Sequence, residues 1–241
     1  MHKCFQSIAE RPPFSWIHGE ENHQFLMLGL EGAGKTTLLY KLRIEGWKSH
    51  EIILAMKNLK KSHEGGEPKD PAYHYEEFQS TTLGSYGIWD IPGDEVMRRL
   101  WPMFYRYLHI SAVLFVVDAF SPDTFSLNEA NLQRLRDAKA AIHYLLNEDE
   151  LRTAAFVVIL NMDTHTQAVQ SKGASAVNLE EQKEMEGAIL EMLGVPEIMQ
   201  QNAHKDRFQT AVLNCSETSR KDPKWEQILK DVYRIQLAVK G

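Results

Sequence analysis

The chain has 241 residues, of which 43% are hydrophobic and 25% charged, with a formal net charge of −6. This suits one large domain, or an ordinary domain with insertions, and a soluble globular protein able to bury a substantial core. The acidic balance gives no overall electrostatic case for nucleic acid or anionic membrane as a partner, and the two cysteines, Cys4 and Cys215, are too few for a disulfide framework.

The opening MHKCFQSIAERPPFSW lacks the apolar stretch of a secretory signal, and no apolar run reaches the roughly 18 residues that span a bilayer. It is mildly basic and acid-poor, a weak signal for organelle import. Position two is His2, so the N-myristoylation signal is absent, and the end AVKG carries no prenylation cysteine. The expectation is a cytoplasmic protein with no direct lipid anchor, reaching an organelle membrane only through a partner. Cys4 is a candidate for palmitoylation, and organelle import is left open.

QFLMLG, from Gln24, reads as a short buried strand, and a helix opens at GKTTLLYKLRIEGW. YHYEEFQS, from Tyr73, and SYGIWDI, from Ser85, read as strands flanking a turn near Gly84. AVLFVVD, from Ala112, and AFVVIL, from Ala155, are buried strands rich in Val and Ile, and TAVLNC, from Thr210, is another. Between them LNEANLQRLRDAKAAIHYLL has apolar residues at helical spacing, and Trp225, Ile228, Leu229 and Val232 fall on one face of a final helix. Strands alternating with helices predict a parallel α/β sheet. Two stretches interrupt this plan: KSHEGGEPKDPAYH is rich in Gly, Pro and charge, and THTQAVQSKGASAVN is small and polar. The division expected is a leader over 1–22 and one domain over 23–241, with insertions near 48–70 and 164–182.

GLEGAGKT, Gly29 to Thr36, matches the phosphate-loop pattern G-x-x-x-x-G-K-[ST] completely, between a buried strand and an amphipathic helix. Gly29, Gly32 and Gly34 let the backbone turn so that successive N–H groups, including those of Glu31, Ala33 and Thr37, face phosphate oxygens. The helix adds its positive end. Lys35 would reach the β- and γ-phosphates, and the Thr36 hydroxyl would ligate Mg²⁺. In WDIPGDE, Asp90 closes a strand and Gly93 follows three residues later. There an aspartate holds Mg²⁺ through water, and a glycine N–H touches the γ-phosphate.

With these motifs the sequence resembles the ADP-ribosylation-factor-like small GTPases of the Ras superfamily. The likeness runs through GLEGAGKTTLLYKL, WDIPGDEVMRRLWPMFYR, VLFVVDAFSPD and LLNEDELR. It implies a three-layer P-loop fold, a mostly parallel six-stranded sheet flanked by helices, that binds GTP and GDP with Mg²⁺. It also implies a protein effector surface, for which Tyr75, Trp89 and Phe104 stand at or near the matching positions; core packing is the alternative for these aromatics.

Four departures follow from the same comparison. The hydrolytic glutamine is replaced by Asp94, which accepts but cannot donate when ionised and is a poor base at neutral pH. The switch threonine that closes over Mg²⁺ falls near Pro71 and Ala72, and Ala72 has no hydroxyl. Thr81 and Thr82 fall too few residues before Asp90 to substitute, because two antiparallel strands and their turn must fit between. The segment before Pro71 is longer than the family needs, and EIILAMKNLKK in it is helix-compatible. The guanine reader is Asn161-Met162-Asp163-Thr164, with threonine where the base-binding aspartate belongs and Asp163 one residue early. The last reader loop is Cys215-Ser216-Glu217, which keeps the small residue but not the lysine. Two readings result: a nucleotide switch with slow hydrolysis and weakened base recognition, or a pseudo-GTPase that serves as a scaffold. A nucleotide kinase would need a second phosphate-binding arginine, which the sequence does not identify.

Overall fold

The computed structural model describes residues 22–46, 73–118, 128–162 and 179–240. In chain order these form β1 (His23–Leu28), α1 (Lys35–Arg43), β2 (His74–Ser80), β3 (Gly84–Asp90), α2 (Glu95–Arg98), α3 (Trp101–Tyr105), β4 (Ile110–Asp118), α4 (Glu129–Leu146), a 3₁₀ turn (Asp149–Leu151), β5 (Ala155–Asn161), α5 (Leu179–Met192), α6 (Val195–Gln200), β6 (Phe208–Leu213) and α7 (Pro223–Lys240). The strands make one sheet in the order β2-β3-β1-β4-β5-β6. Only the β2–β3 pair is antiparallel. The six-stranded, mostly parallel architecture is thus present.

The strands are apolar on both faces because helices cover both. Val113, Phe115 and Val117 of β4 turn to one side with Leu135, Ile142 and Leu145 of α4. Ala112, Leu114 and Val116 turn to the other, with Leu38 and Leu42 of α1 and Trp225, Ile228, Leu229 and Val232 of α7. The period of two along one strand therefore serves two cores. The final helix is seated by the four residues expected to form its buried face.

Some boundaries differ from the expectation. Residues 179–182, assigned to the second insertion, belong to α5, which together with α6 was not foreseen. Glu180, Lys183 and Glu184 in its first turns are exposed, and its fully buried residue, Ile189, comes only near its end, with Leu193 just beyond it. The strand read as TAVLNC starts two residues earlier and stops at Leu213. There the Asn214 side chain accepts from the Ser216 N–H at 3.0 Å and turns the chain.

Beyond α4, Arg207 is buried, and among the described residues no carboxylate hydrogen-bonds to it. Its guanidinium donates to the carbonyls of Leu146 at 2.8 Å, Leu151 at 3.2 Å and Ala154 at 3.3 Å. A cation thus sits on the negative end of a long helix. Among the described residues no helix is long and apolar enough to cross a membrane.

Candidate functional site

Strands β1, β3, β4 and β5 run parallel, so their C-terminal residues Leu28, Asp90, Asp118 and Asn161 lie at the same end of the sheet, with β4 and β5 reaching three residues beyond β1. Ligand sites of open α/β sheets lie beyond this end. The segment from Gly29 to Gly34 leaves β1 there and leads into α1. Gly29 adopts φ 143° and passes so close to the Val116 carbonyl that a Cβ would overlap it. Gly32 and Glu31 form the exposed tip, Ala33 is buried, and Thr37 lies half-buried on the first turn of α1.

Lys35 is buried, and its ammonium donates to the carbonyls of Gly29 and Leu30, both at 2.9 Å. The Thr36 hydroxyl donates to Asp90 Oδ2 at 2.6 Å, and the other oxygen, Oδ1, is buried with no hydrogen-bond partner among the described residues. Burial pushes the Asp90 carboxyl up and the Lys35 ammonium down, each opposed by the charge of the other. The site thus buries an acid and an amine that act on each other through their charges.

Past Asp90 the chain turns back over the loop. Gly93 accepts from the Glu31 N–H at 3.2 Å, and a Cβ on Gly93 would overlap the Gly29 carbonyl. Asp94 caps α2: its Oδ1 accepts from the N–H groups of Val96 at 3.1 Å and Met97 at 3.0 Å. Its side chain is engaged with the backbone of its own segment.

On the other flank Asn161 joins two loops. Its Nδ2 donates to the Ala33 carbonyl at 3.0 Å, and its Oδ1 accepts from the Cys215 N–H at 3.0 Å. Met162 is buried, with its N–H on the Leu213 carbonyl at 2.8 Å. Cys215 is buried, and the Ser216 hydroxyl donates to Asn214 Oδ1 at 2.6 Å. Asn161, Met162, Cys215 and Ser216 therefore converge beside the phosphate loop. Asp163, Thr164 and Ala72 lie outside the described residues.

The three aromatics form a cluster under the β2–β3 ribbon. Tyr75 and Tyr73 lie 4.4 and 5.2 Å from Trp89, ring centre to ring centre, and Tyr73 lies 5.7 Å from Phe104. Trp89 and Phe104 are buried, and Trp89 Nε1 donates to Gln24 Oε1 at 2.7 Å. Partial burial and a hydrogen bond to Glu77 push the Tyr75 hydroxyl up to about 12. In this arrangement Trp89 and Phe104 are core residues, and Tyr75 alone of the three is partly exposed. Thr81 and Thr82 occupy the hairpin turn, at the opposite end of the ribbon from Asp90.

Sequence reasoning did not foresee Arg134 on α4, which donates to the Glu31 carbonyl at 2.9 Å. Nor did it foresee Trp101, whose Nε1 donates to the Pro92 carbonyl at 3.1 Å and steadies the segment before Gly93. Arg134 acts across 103 residues of chain, with no local pattern to announce it, whereas Trp101 reaches back only nine residues.

The family model described as the ADP-ribosylation factor family matches residues 13–206. The chain belongs to the ADP-ribosylation factor family. It is accordingly a GTP-binding ARF-like protein with the P-loop small-GTPase fold, and Arf-family GTPases in general bind GTP and GDP with Mg²⁺ and act through effector proteins. Among solved structures, the chain is similar to the Arl6 (BBS3) small GTPase of Trypanosoma brucei with a bound nucleotide analogue, GppNp. Identity is 17%, the match covers 91% of this chain and 98% of that one, and the TM-score is 0.49.

Proposed function

We propose that this Arf-family chain is a Mg²⁺-dependent nucleotide switch with an intact phosphate cradle, slow hydrolysis and relaxed base choice. The observation that carries this reading is the Thr36–Asp90 pair at 2.6 Å, with Asp90 Oδ1 buried and unpartnered among the described residues. A buried carboxylate oxygen without a donor is costly unless a cation or water completes it. A hydroxyl and a carboxylate are hard oxygen donors, and Mg²⁺ takes few protein ligands, filling its shell with phosphate and water. Thr36 and Asp90 would hold the ion, which when bound neutralises phosphate charge. Lys35 and the backbone N–H groups of Gly32 and of Gly34 through Thr37 would hold the phosphates, whereas those of Glu31 and Ala33 donate to the Gly93 and Leu30 carbonyls.

Slow hydrolysis rests on Asp94. A carboxylate that caps α2 through two backbone N–H groups is neither free to orient water nor able to donate toward a phosphoryl oxygen. Relaxed base choice rests on the residue types at Met162, Asp163 and Thr164. Met162 offers an apolar cover for the base, whereas Thr164 supplies no carboxylate for guanine N–H groups. One or two lost charge-assisted hydrogen bonds, at roughly 1.5–3 kcal/mol each, would lower guanine affinity by about one to several powers of ten.

A second reading, a pseudo-GTPase scaffold, is favoured by the Glu31–Gly93 hydrogen bond, which uses a phosphate-loop donor within the protein. Effector or assembly contacts through Tyr75, Trp89 and Phe104 would then require the ribbon to move, because two of the three are buried. The test is to identify nucleotide carried through purification and follow its release with and without EDTA. GDP–GTP exchange accelerated by EDTA supports the switch. A trapped nucleotide indifferent to EDTA, or an empty site that takes up neither, supports the scaffold.

A further inference from the structure

The phosphate loop is braced from outside by a side chain that neither reading uses. Arg134, in the second turn of α4, donates from Nη2 to the Glu31 carbonyl at 2.9 Å. This carbonyl belongs to the peptide that also carries the Gly32 N–H. In a trans peptide the two groups point in opposite directions, so drawing the carbonyl toward α4 turns the Gly32 N–H toward the interior of the loop. That peptide needs a brace. Gly32 adopts φ 75° at an exposed tip, and a Cβ there would meet nothing within 4 Å among the described residues. The preceding N–H, that of Glu31, faces the Gly93 carbonyl. In a D-x-x-G segment that glycine senses the terminal phosphate, so the Glu31–Gly32 stretch lies on the third-phosphate side of the cradle. The Lys35 ammonium, on the carbonyls of Gly29 and Leu30, lies beside the same stretch. The Arg134 charge also reaches the cradle, since it opposes protonation of Lys35.

We propose that Arg134 is a positioning residue for the third phosphate: its bond to the Glu31 carbonyl presents the Gly32 N–H to a triphosphate and favours triphosphate over diphosphate. The inference rests on the phosphate-site reading above, so its test separates the two. Inorganic pyrophosphate and tripolyphosphate are titrated with Mg²⁺ into the full chain by calorimetry, removing base recognition from the measurement. GDP and a non-hydrolysable GTP analogue follow. Arg134→Ala is expected to weaken tripolyphosphate and the GTP analogue by about tenfold, and the two diphosphates by less than about threefold. Arg134→Lys, which can still donate one hydrogen bond to a carbonyl, is expected to recover most of the loss. Equal weakening of both classes, an unchanged ratio, or a lysine variant no better than alanine would overturn the assignment. If the wild-type chain takes up neither inorganic polyphosphate, the phosphate-site reading itself falls, and the role of Arg134 with it.

Discussion

The Glu31 N–H donates to the Gly93 carbonyl at 3.2 Å, linking the phosphate loop to the segment that leaves β3. The approach depends on the missing Cβ at position 93, which would overlap the Gly29 carbonyl. Gly93→Ala should therefore destabilise this arrangement by about 1–3 kcal/mol, as overpacking does. Urea unfolding checks it; an unchanged midpoint would mean that the two segments do not rest together in solution.

Asp94 is expected to matter in two separable ways. Asp94→Ala removes the cap of α2 and should cost about 0.5–1 kcal/mol, while leaving the hydrolysis rate near its low starting value. Asp94→Gln introduces a side chain that both accepts and donates, and should raise single-turnover hydrolysis by roughly tenfold or more. An ordinary family rate in the unmodified chain, or no gain with glutamine, would remove Asp94 as the cause of slow turnover.

Asp90→Asn tests the cation site. The amide keeps the shape and can still accept from Thr36, but it loses the negative charge facing Lys35. Mg²⁺-dependent retention of nucleotide should fall by about tenfold or more. Release should then respond little to EDTA. Retained EDTA sensitivity would place the ion elsewhere.

The pH response is set in part far from the site. His204 Nδ1 lies 3.2 Å from Arg207 Nη2. A guanidinium has donors only, so this imidazole nitrogen must be the acceptor and the ring neutral. Burial, then the charges of Arg207 and His143, push the His204 pKa below its ordinary value of 6.5. The unfolded chain then binds the proton first. The contribution of this residue is fully present above about pH 6.5 and is lost as pH falls below that, by at most about 1.4 kcal/mol per pH unit until the folded-state pKa is reached. His204→Gln keeps an acceptor for Arg207 and should flatten this part of the acid limb. Identical stability–pH curves for the two chains would assign the acid response to other groups.

The parts of the fold and site that could be read from sequence are those built from neighbours along the chain. The phosphate loop is one continuous stretch, and the strands announce themselves by runs such as AVLFVVD, because both faces of the sheet are covered. Helix α5 was hidden because Glu180, Lys183 and Glu184 in its first turns are exposed, so the apolar stripe starts late. The Asp94 cap was in principle visible, since aspartate before a helical start is a common cap. The same position carries the family's hydrolytic glutamine, which masks the capping role. The Arg134 brace spans 103 residues of sequence, and the Asn161 bridge to Ala33 spans 128. Such pairings are products of topology, and periodicity carries no trace of them.

Asn161 has a consequence for how this chain could change over time. Both ends of its amide are satisfied by backbone groups of the protein, Ala33 on one side and Cys215 on the other. The cradle and the loop beside it are thus registered to each other by the folded chain itself. Substitutions farther along the reader, such as threonine at 164, can then alter what is recognised without undoing the mould. A preorganised pocket of this kind tolerates a change of occupant, because its shape is inherited separately from its selectivity.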